Sequence, residues 1–266
     1  MGKTIAGIVG LGVVLGAAYL FWRSSIPACP SLAQISARVQ QHPSVQQCAN
    51  IAVAVEGCVV RLQGRIENAT QRTRLREAIQ SIPGIAQVND ASVQSVDRPF
   101  CEVLDILDPL YKREETLASG LAVKLVNKSG EKIPVYSQGE HLILEITTPL
   151  KFESYVYVDY YTVDGQVQHL FPNPLEATNF FPPRSVYVVG QLDEQHIPWK
   201  ALPPFGKELL TVITSKHPLV FTPKAPRYDP EPASLYIDQL QRALPRGHVP
   251  PEVAVASYLI ETREKP

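Results

Sequence analysis

Tyr155–Phe171 reads YVYVDYYTVDGQVQHLF, and the fold of the larger part of the chain turns on it. Valines alternate with tyrosines up to Asp159, Asp164-Gly165 supplies turn residues, and Val167–Phe171 resumes an apolar run. Alternation, turn and alternation predict an antiparallel hairpin. Pro172-Asn173-Pro174 then ends the second strand. Only one parity of a strand faces outward, so part of the set Tyr155, Tyr157, Tyr160 and Tyr161 belongs to a core. Tyr155 and Tyr157 are kept as a candidate binding surface. Working outward, Leu121–Val126, His141–Thr147, Val186–Val189, Glu208–Thr214 and Val253–Ile260 read as further strands, and Ala233–Leu244 as a helix. Tyr136–Glu140 reads as a turn. Strands at roughly regular spacing predict a mainly antiparallel β-sandwich-like domain or an open barrel.

The preceding stretch has a different pattern. Ser31–Gln41 carries Leu32, Ile35 and Val39 at helical spacing, with Ser31 as cap and Pro43 as stop. Ile51, Val53 and Val55 alternate, Glu56-Gly57 turns the chain, and Val60, Leu62 and Ile66 continue the alternation. Asn68 and Gln71 have the spacing of a capping box before a second helix with Leu75, Ala78, Ile79 and Ile82 on its apolar face. Pro83-Gly84 ends that helix, and Ile85–Val96 forms a third strand. The order is α-β-β-α-β. Cys101–Glu115 reads as a helix joining the two patterns. The predicted class is therefore α+β. The divisions are 1–26, 27–98, a helical junction at 99–116, and 117–266.

Residues 1–26 contain an uncharged run, Ile5–Trp22, between Lys3 and Arg23. As a helix it would reach about 27 Å, close to the hydrocarbon thickness of a bilayer. Tyr19, Leu20, Phe21 and Trp22 follow the small pair Ala17–Ala18, which suits a retained single-pass anchor better than a cleavage site. Gly12 and Gly16 have the small-xxx-small spacing through which two such helices could pair as a homodimer.

Four cysteines, Cys29, Cys48, Cys58 and Cys101, cluster after this run. None forms the close pair that a zinc site uses, whereas an even set beyond a membrane segment suits disulfides in an oxidising compartment. A short connection from the first helix to the first strand puts Cys29 near the hairpin turn at Cys58. A right-handed crossover puts the end of the third strand, and so Cys101, near Cys48. The expected pairs are Cys29–Cys58 and Cys48–Cys101. The expected location is a bacterial inner membrane, with the bulk of the chain in the periplasm.

AVAVEGCVVRLQGRIENATQRTRLREAIQSIPGIAQVNDASVQSV, with its turn at Gly57, Leu62-x-Gly64 and Pro83-Gly84-Ile85, resembles the BON domain over roughly residues 30–97. That resemblance implies an envelope module that binds lipid or other envelope components without catalysis. Arg72, Arg74 and Arg76 could meet anionic headgroups or simply form a solvated helix face. Gly139-Glu140, the tyrosine strand, Asp164-Gly165, Leu170-Phe-Pro-Asn173, Pro204–Glu208 and Val212–Ser215 resemble the domain of unknown function numbered 4384, over roughly residues 117–263. This second resemblance implies a place beside bacterial protein-kinase or caspase-like modules.

Catalytic signals are sparse. The six histidines, His42, His141, His169, His196, His217 and His248, show no metal-ligand spacing. His169, beside Leu170-Phe171-Pro172, draws most attention and reads as a strand-edge residue. Asp159 and Asp164 could form an acidic pair, although Asp164-Gly165 is also what a hairpin turn requires. There is no Gly-x-Ser-x-Gly elbow, phosphate loop or kinase catalytic loop. Net charge is −1, which recruits no nucleic acid. The expectation is no catalytic residue, cofactor or metal. The chain reads as an anchored protein that binds lipid, peptidoglycan or a protein partner. A regulatory or accessory subunit of a kinase, caspase-like or secretion system is the alternative, and a hydrolase with a dispersed site the third reading.

Overall fold

The computed structural model describes residues 28–45, 48–111, 118–126, 134–191, 198–219, 230–244 and 252–266. The expected anchor, with Gly12 and Gly16, lies outside them. Among the described residues no helix is long and apolar enough to cross a membrane. The chain divides into two compact units between Val96 and Asp97.

The first unit follows the α-β-β-α-β order. Helix α1 (Leu32–Gln41) begins with a full capping box in which Ser31 and Gln34 satisfy each other's backbone N–H. Strands β1 (Asn50–Glu56) and β2 (Val59–Ile66) form a hairpin, helix α2 (Ala69–Gln80) crosses over, and β3 (Gln87–Ser95) joins β2 in parallel. Asn68 caps α2 through the Gln71 N–H, but only half of the expected box forms. The Gln71 side chain accepts a hydrogen bond from the Ser44 hydroxyl instead. Ile35, Val39, Leu62, Ile66, Leu75 and Ile79 form the core between helices and sheet. Gly64 has a positive φ of 126°, and a Cβ there would collide with the Asn50 carbonyl.

The second unit begins with α3 (Phe100–Tyr111), whose buried face is Phe100, Cys101, Val103, Leu104, Ile106, Leu107 and Leu110. The segment expected as a junction is thus a packed helix of this unit up to Tyr111. The strands are β4 (Ala122–Leu125), β5 (Val135–Ser137), β6 (Leu144–Thr147), β7 (Ser154–Tyr161), β8 (Gln166–Phe171), β9 (Phe180–Phe181), β10 (Val186–Val189), β11 (Lys207–Ser215), β12 (Glu231–Pro232) and β13 (Val253–Arg263). Helix α4 (Ala233–Ala243) follows β12. The larger sheet has the order β12-β8-β7-β11-β13-β5, with β9 beside β7, and the smaller is β10-β6-β4. All pairs are antiparallel except β13–β5.

The fold is α+β with a β-rich second part. Val156, Val158, Leu210, Val212 and Ile260 of the large sheet pack with Leu144, Ile146 and Val189 of the small one. Helices α3 and α4 pack on the other face of the large sheet, against β13 and β8. Three short strands escape the alternation pattern, because two or three residues carry no period. One of them, β5, overlaps the start of the stretch expected as a turn, and His141 makes only an isolated bridge to Lys200 before β6 begins at Leu144.

Candidate functional site

The β7–β8 hairpin places chemistry on both faces of the large sheet. Its loop is Val163-Asp164-Gly165, with Gly165 at φ 81° and its N–H bonded to the Thr162 carbonyl. From this turn the pairs run Tyr161–Val167, Tyr160–Gln168 and Asp159–His169. The register then shifts, so that Val158 faces Phe171. This β-bulge turns both Leu170 and Phe171 into the sandwich core.

On the helix-covered face, Asp159 and His169 are direct cross-strand neighbours. His169 Nδ1 lies 2.6 Å from Asp159 Oδ1, and its Nε2 lies 3.1 Å from Glu231 Oε1. The Tyr236 hydroxyl of α4 donates to Asp159 Oδ2 at 2.7 Å, and its ring meets the imidazole edge-on. Asp159, Glu231 and Tyr236 are buried. Both ring nitrogens face carboxylate oxygens, an arrangement that favours the imidazolium form of His169. Burial pushes its pKa down, but the hydrogen bonds and charges of Asp159 and then Glu231 outweigh this and raise it to about 9.

This closed cluster limits the available chemistry. A general base needs a free ring nitrogen facing a nucleophile, and both nitrogens of His169 are committed. The carboxylates also address opposite sides of one ring rather than a common point. Among the described residues no group of three His, Cys, Asp or Glu could hold a metal ion. Asp164 forms no pair with Asp159: its carboxylate accepts from the Thr162 hydroxyl within the turn.

On the opposite face lies a small cleft. Strand residues Tyr136, Tyr160, Gln168, Leu170, Ile260 and Thr262 line it together with Leu142, Trp199, Lys200 and Ala201. Its volume is about 20 Å³. The Tyr160 hydroxyl donates to buried Glu208. Burial raises the pKa of Glu208, opposed by hydrogen bonds from Tyr160 and Thr262. The indole N–H of Trp199 is buried and has no hydrogen-bond partner among the described residues.

The other expected site residues are placed as follows. Tyr155 is half-buried against Phe180, with ring centroids 4.8 Å apart, and the Tyr157 hydroxyl accepts the Leu219 N–H at 3.0 Å. Both are engaged by neighbours rather than presented as a free aromatic face. Arg72 is committed to Asp90, through Nε to the carboxylate at 2.9 Å and through a second nitrogen to the carbonyl at 2.7 Å. That bond and charge hold the Asp90 carboxyl below its usual range. Arg74 and Arg76 are exposed. A disulfide joins Cys29 and Cys58, with Cα atoms 5.0 Å apart. Cys48 and Cys101 are also disulfide-bonded.

Glu231, Tyr236 and Glu208 escape sequence reasoning. For Asp159 and His169 a signal exists, since they lie five residues either side of Asp164 and an in-register hairpin must pair them. Nothing local marks Glu231, which is 62 residues from His169.

The fold and this site define a β-rich module with a hydrogen-bonded polar cluster on one face and a small aromatic cleft on the other. Residues 135–218 of it are a domain of unknown function, DUF4384. The match begins at β5, ends just past β11 and is narrower than the 117–263 expected. No curated protein and no solved structure matches the chain.

Proposed function

We propose that this chain is a noncatalytic protein of a bacterial envelope. Residues 1–26 anchor it in the inner membrane as a single pass, with Gly12 and Gly16 as the face through which two copies would pair. The rest, in the periplasm, binds lipid, peptidoglycan or a protein partner through a BON-like first unit and the β-rich second unit. The observation that carries the binding reading is the cleft: Tyr136 and Tyr160 on strands of the large sheet, Trp199 beside them and a few polar groups line one small concavity, the mix of apolar and convergent polar groups that binding sites use. The oxidised state of the cysteines supports the periplasmic side. A hydrolase reading draws no support from His169, whose ring nitrogens are both occupied.

The test is affinity capture of the full chain from crosslinked membranes, followed by mass spectrometry. Reproducible recovery of an envelope protein, lipid or glycan supports the reading; recovery of cytosolic proteins alone overturns it. The second reading, an accessory subunit of a kinase or caspase-like system, rests on what the resemblance of the second unit to this domain of unknown function implies. A kinase or caspase-like gene beside this one, and its product in the captured set, would favour that over a general envelope binder.

A further inference from the structure

The two edges of the first unit's sheet are built differently. Strand β3 carries Asn89 and Asp90, and its pairing with β2 slips register between Arg61 and Gln63. Charges and bulges are the devices that keep a sheet edge from pairing with another chain. Strand β1 is nearly bare of them. It reads NIAVAVE over Asn50–Glu56, pairs with β2 in unbroken register and has Glu56 as its single charge. The edge strands of the larger sheet are short instead: β12 has two residues, one of them Pro232, and β5 has three.

The register decides which groups β1 leaves open. Glu56 and Val59 flank the turn Gly57-Cys58 and so bond to each other, and alternation gives Ala54 and Ala52 to β2 as well. The Asn50 carbonyl has the same parity and faces β2, where a Cβ at Gly64 would strike it. Ile51, Val53 and Val55 therefore point their N–H and C=O away from the sheet. Among the described residues no strand pairs with them on that side. Their side chains lie on the helix face but stay half-buried, whereas Val60, Leu62 and Ile66 of β2 are buried.

We propose that β1 pairs antiparallel with β1 of a second copy, joining two three-stranded sheets into one. The apolar pattern is symmetric about Val53, with an alanine on either side and then Ile51 and Val55. Turned about that residue, Val53 meets Val53 and Ile51 meets Val55, the residues whose backbone groups are open. Ala52 meets Ala54 on the exposed face and Glu56 meets Asn50, so no like charges stand opposite each other. The contact is isologous, as a two-fold dimer requires, and this self-match favours a second copy over a foreign strand. It goes beyond the envelope reading, does not depend on it, and is separate from pairing through Gly12 and Gly16.

Hydrogen exchange of the full-length chain in detergent, read beside its mass by sedimentation, tests it. The Ile51, Val53 and Val55 amides should be protected in a two-copy species and lose that protection on dilution to single copies. Ala52→Glu/Ala54→Glu sets carboxylates against each other across the two-fold, while inside one copy they face Gln63 and Arg61. That variant should lose the protection and keep the exchange pattern of the rest of the unit. If it unfolds, the wild-type dilution series decides alone. Gly12→Leu/Gly16→Leu should keep the protection; its loss there would assign the dimer to residues 1–26 and overturn the strand interface. Single copies at every concentration, fast exchange of the three amides in a two-copy species, protection that persists in single copies, or a foreign strand crosslinked at β1 would each overturn it as well.

Discussion

His169 is held by two carboxylates, and the sign of its pKa shift makes a pH prediction. Its folded-state pKa of about 9 lies above the ordinary imidazole value of 6.5. The associated stability is fully present below pH 6.5 and disappears as pH rises through 9. It amounts to at most about 3 kcal/mol for a shift of this size. Urea midpoints of the wild type should fall across that window, and those of His169→Gln should fall less. That variant also leaves two buried carboxylates without their cation, which should cost about 3–5 kcal/mol at neutral pH. Adding Glu231→Gln should recover part of the loss, a coupling that a double-mutant cycle measures. Independent, additive effects would show that the three groups do not act together.

At the scale of elements, the hairpin and the caps carry local information that substitutions can read. Gly165 adopts φ 81° in open space, so Gly165→Ala meets no atom but strains the backbone. A loss of about 1–2 kcal/mol is expected. Ser31→Ala removes the side-chain half of the α1 capping box, keeps the backbone N–H that donates to Gln34, and should cost about 1 kcal/mol, read from the same denaturation curves. The α2 cap shows how a local signal can be diverted. Asn68 and Gln71 have capping-box spacing, yet Gln71 serves the Ser44 hydroxyl, a contact made across 27 residues. The β7–β8 register was legible in the same way, by counting out from Asp164-Gly165. The bulge before Asp159 was not, because it answers to the core that Leu170 and Phe171 fill together.

Across the whole molecule, the cysteines set the largest covalent constraints. The Cys29–Cys58 bond spans 29 residues. Closing such a loop should stabilise the native state by about 3–4 kcal/mol in the chain-entropy description. The Cys29→Ser/Cys58→Ser variant should lose about that much in thermal or urea unfolding. Non-reducing peptide mapping of the intact chain should also recover Cys48 linked to Cys101. Recovery of scrambled pairs from freshly isolated protein would contradict this.

Periodicity, turn residues and caps are local, so the sequence by itself determined the α-β-β-α-β order, the tyrosine hairpin and the α+β class. It also marked Asp159 and His169 as residues of interest. Only the tertiary structure decided the sheet order β12-β8-β7-β11-β13-β5, the short strands β5 and β12, and the helices on one face. It alone brought Glu231 and Tyr236 to the His169–Asp159 pair, and Glu208 to Tyr160. The physical reason is separation along the chain. These contacts join residues 48 to 77 positions apart, and they form only when burial of the two faces of one sheet repays the entropy of closing such long loops.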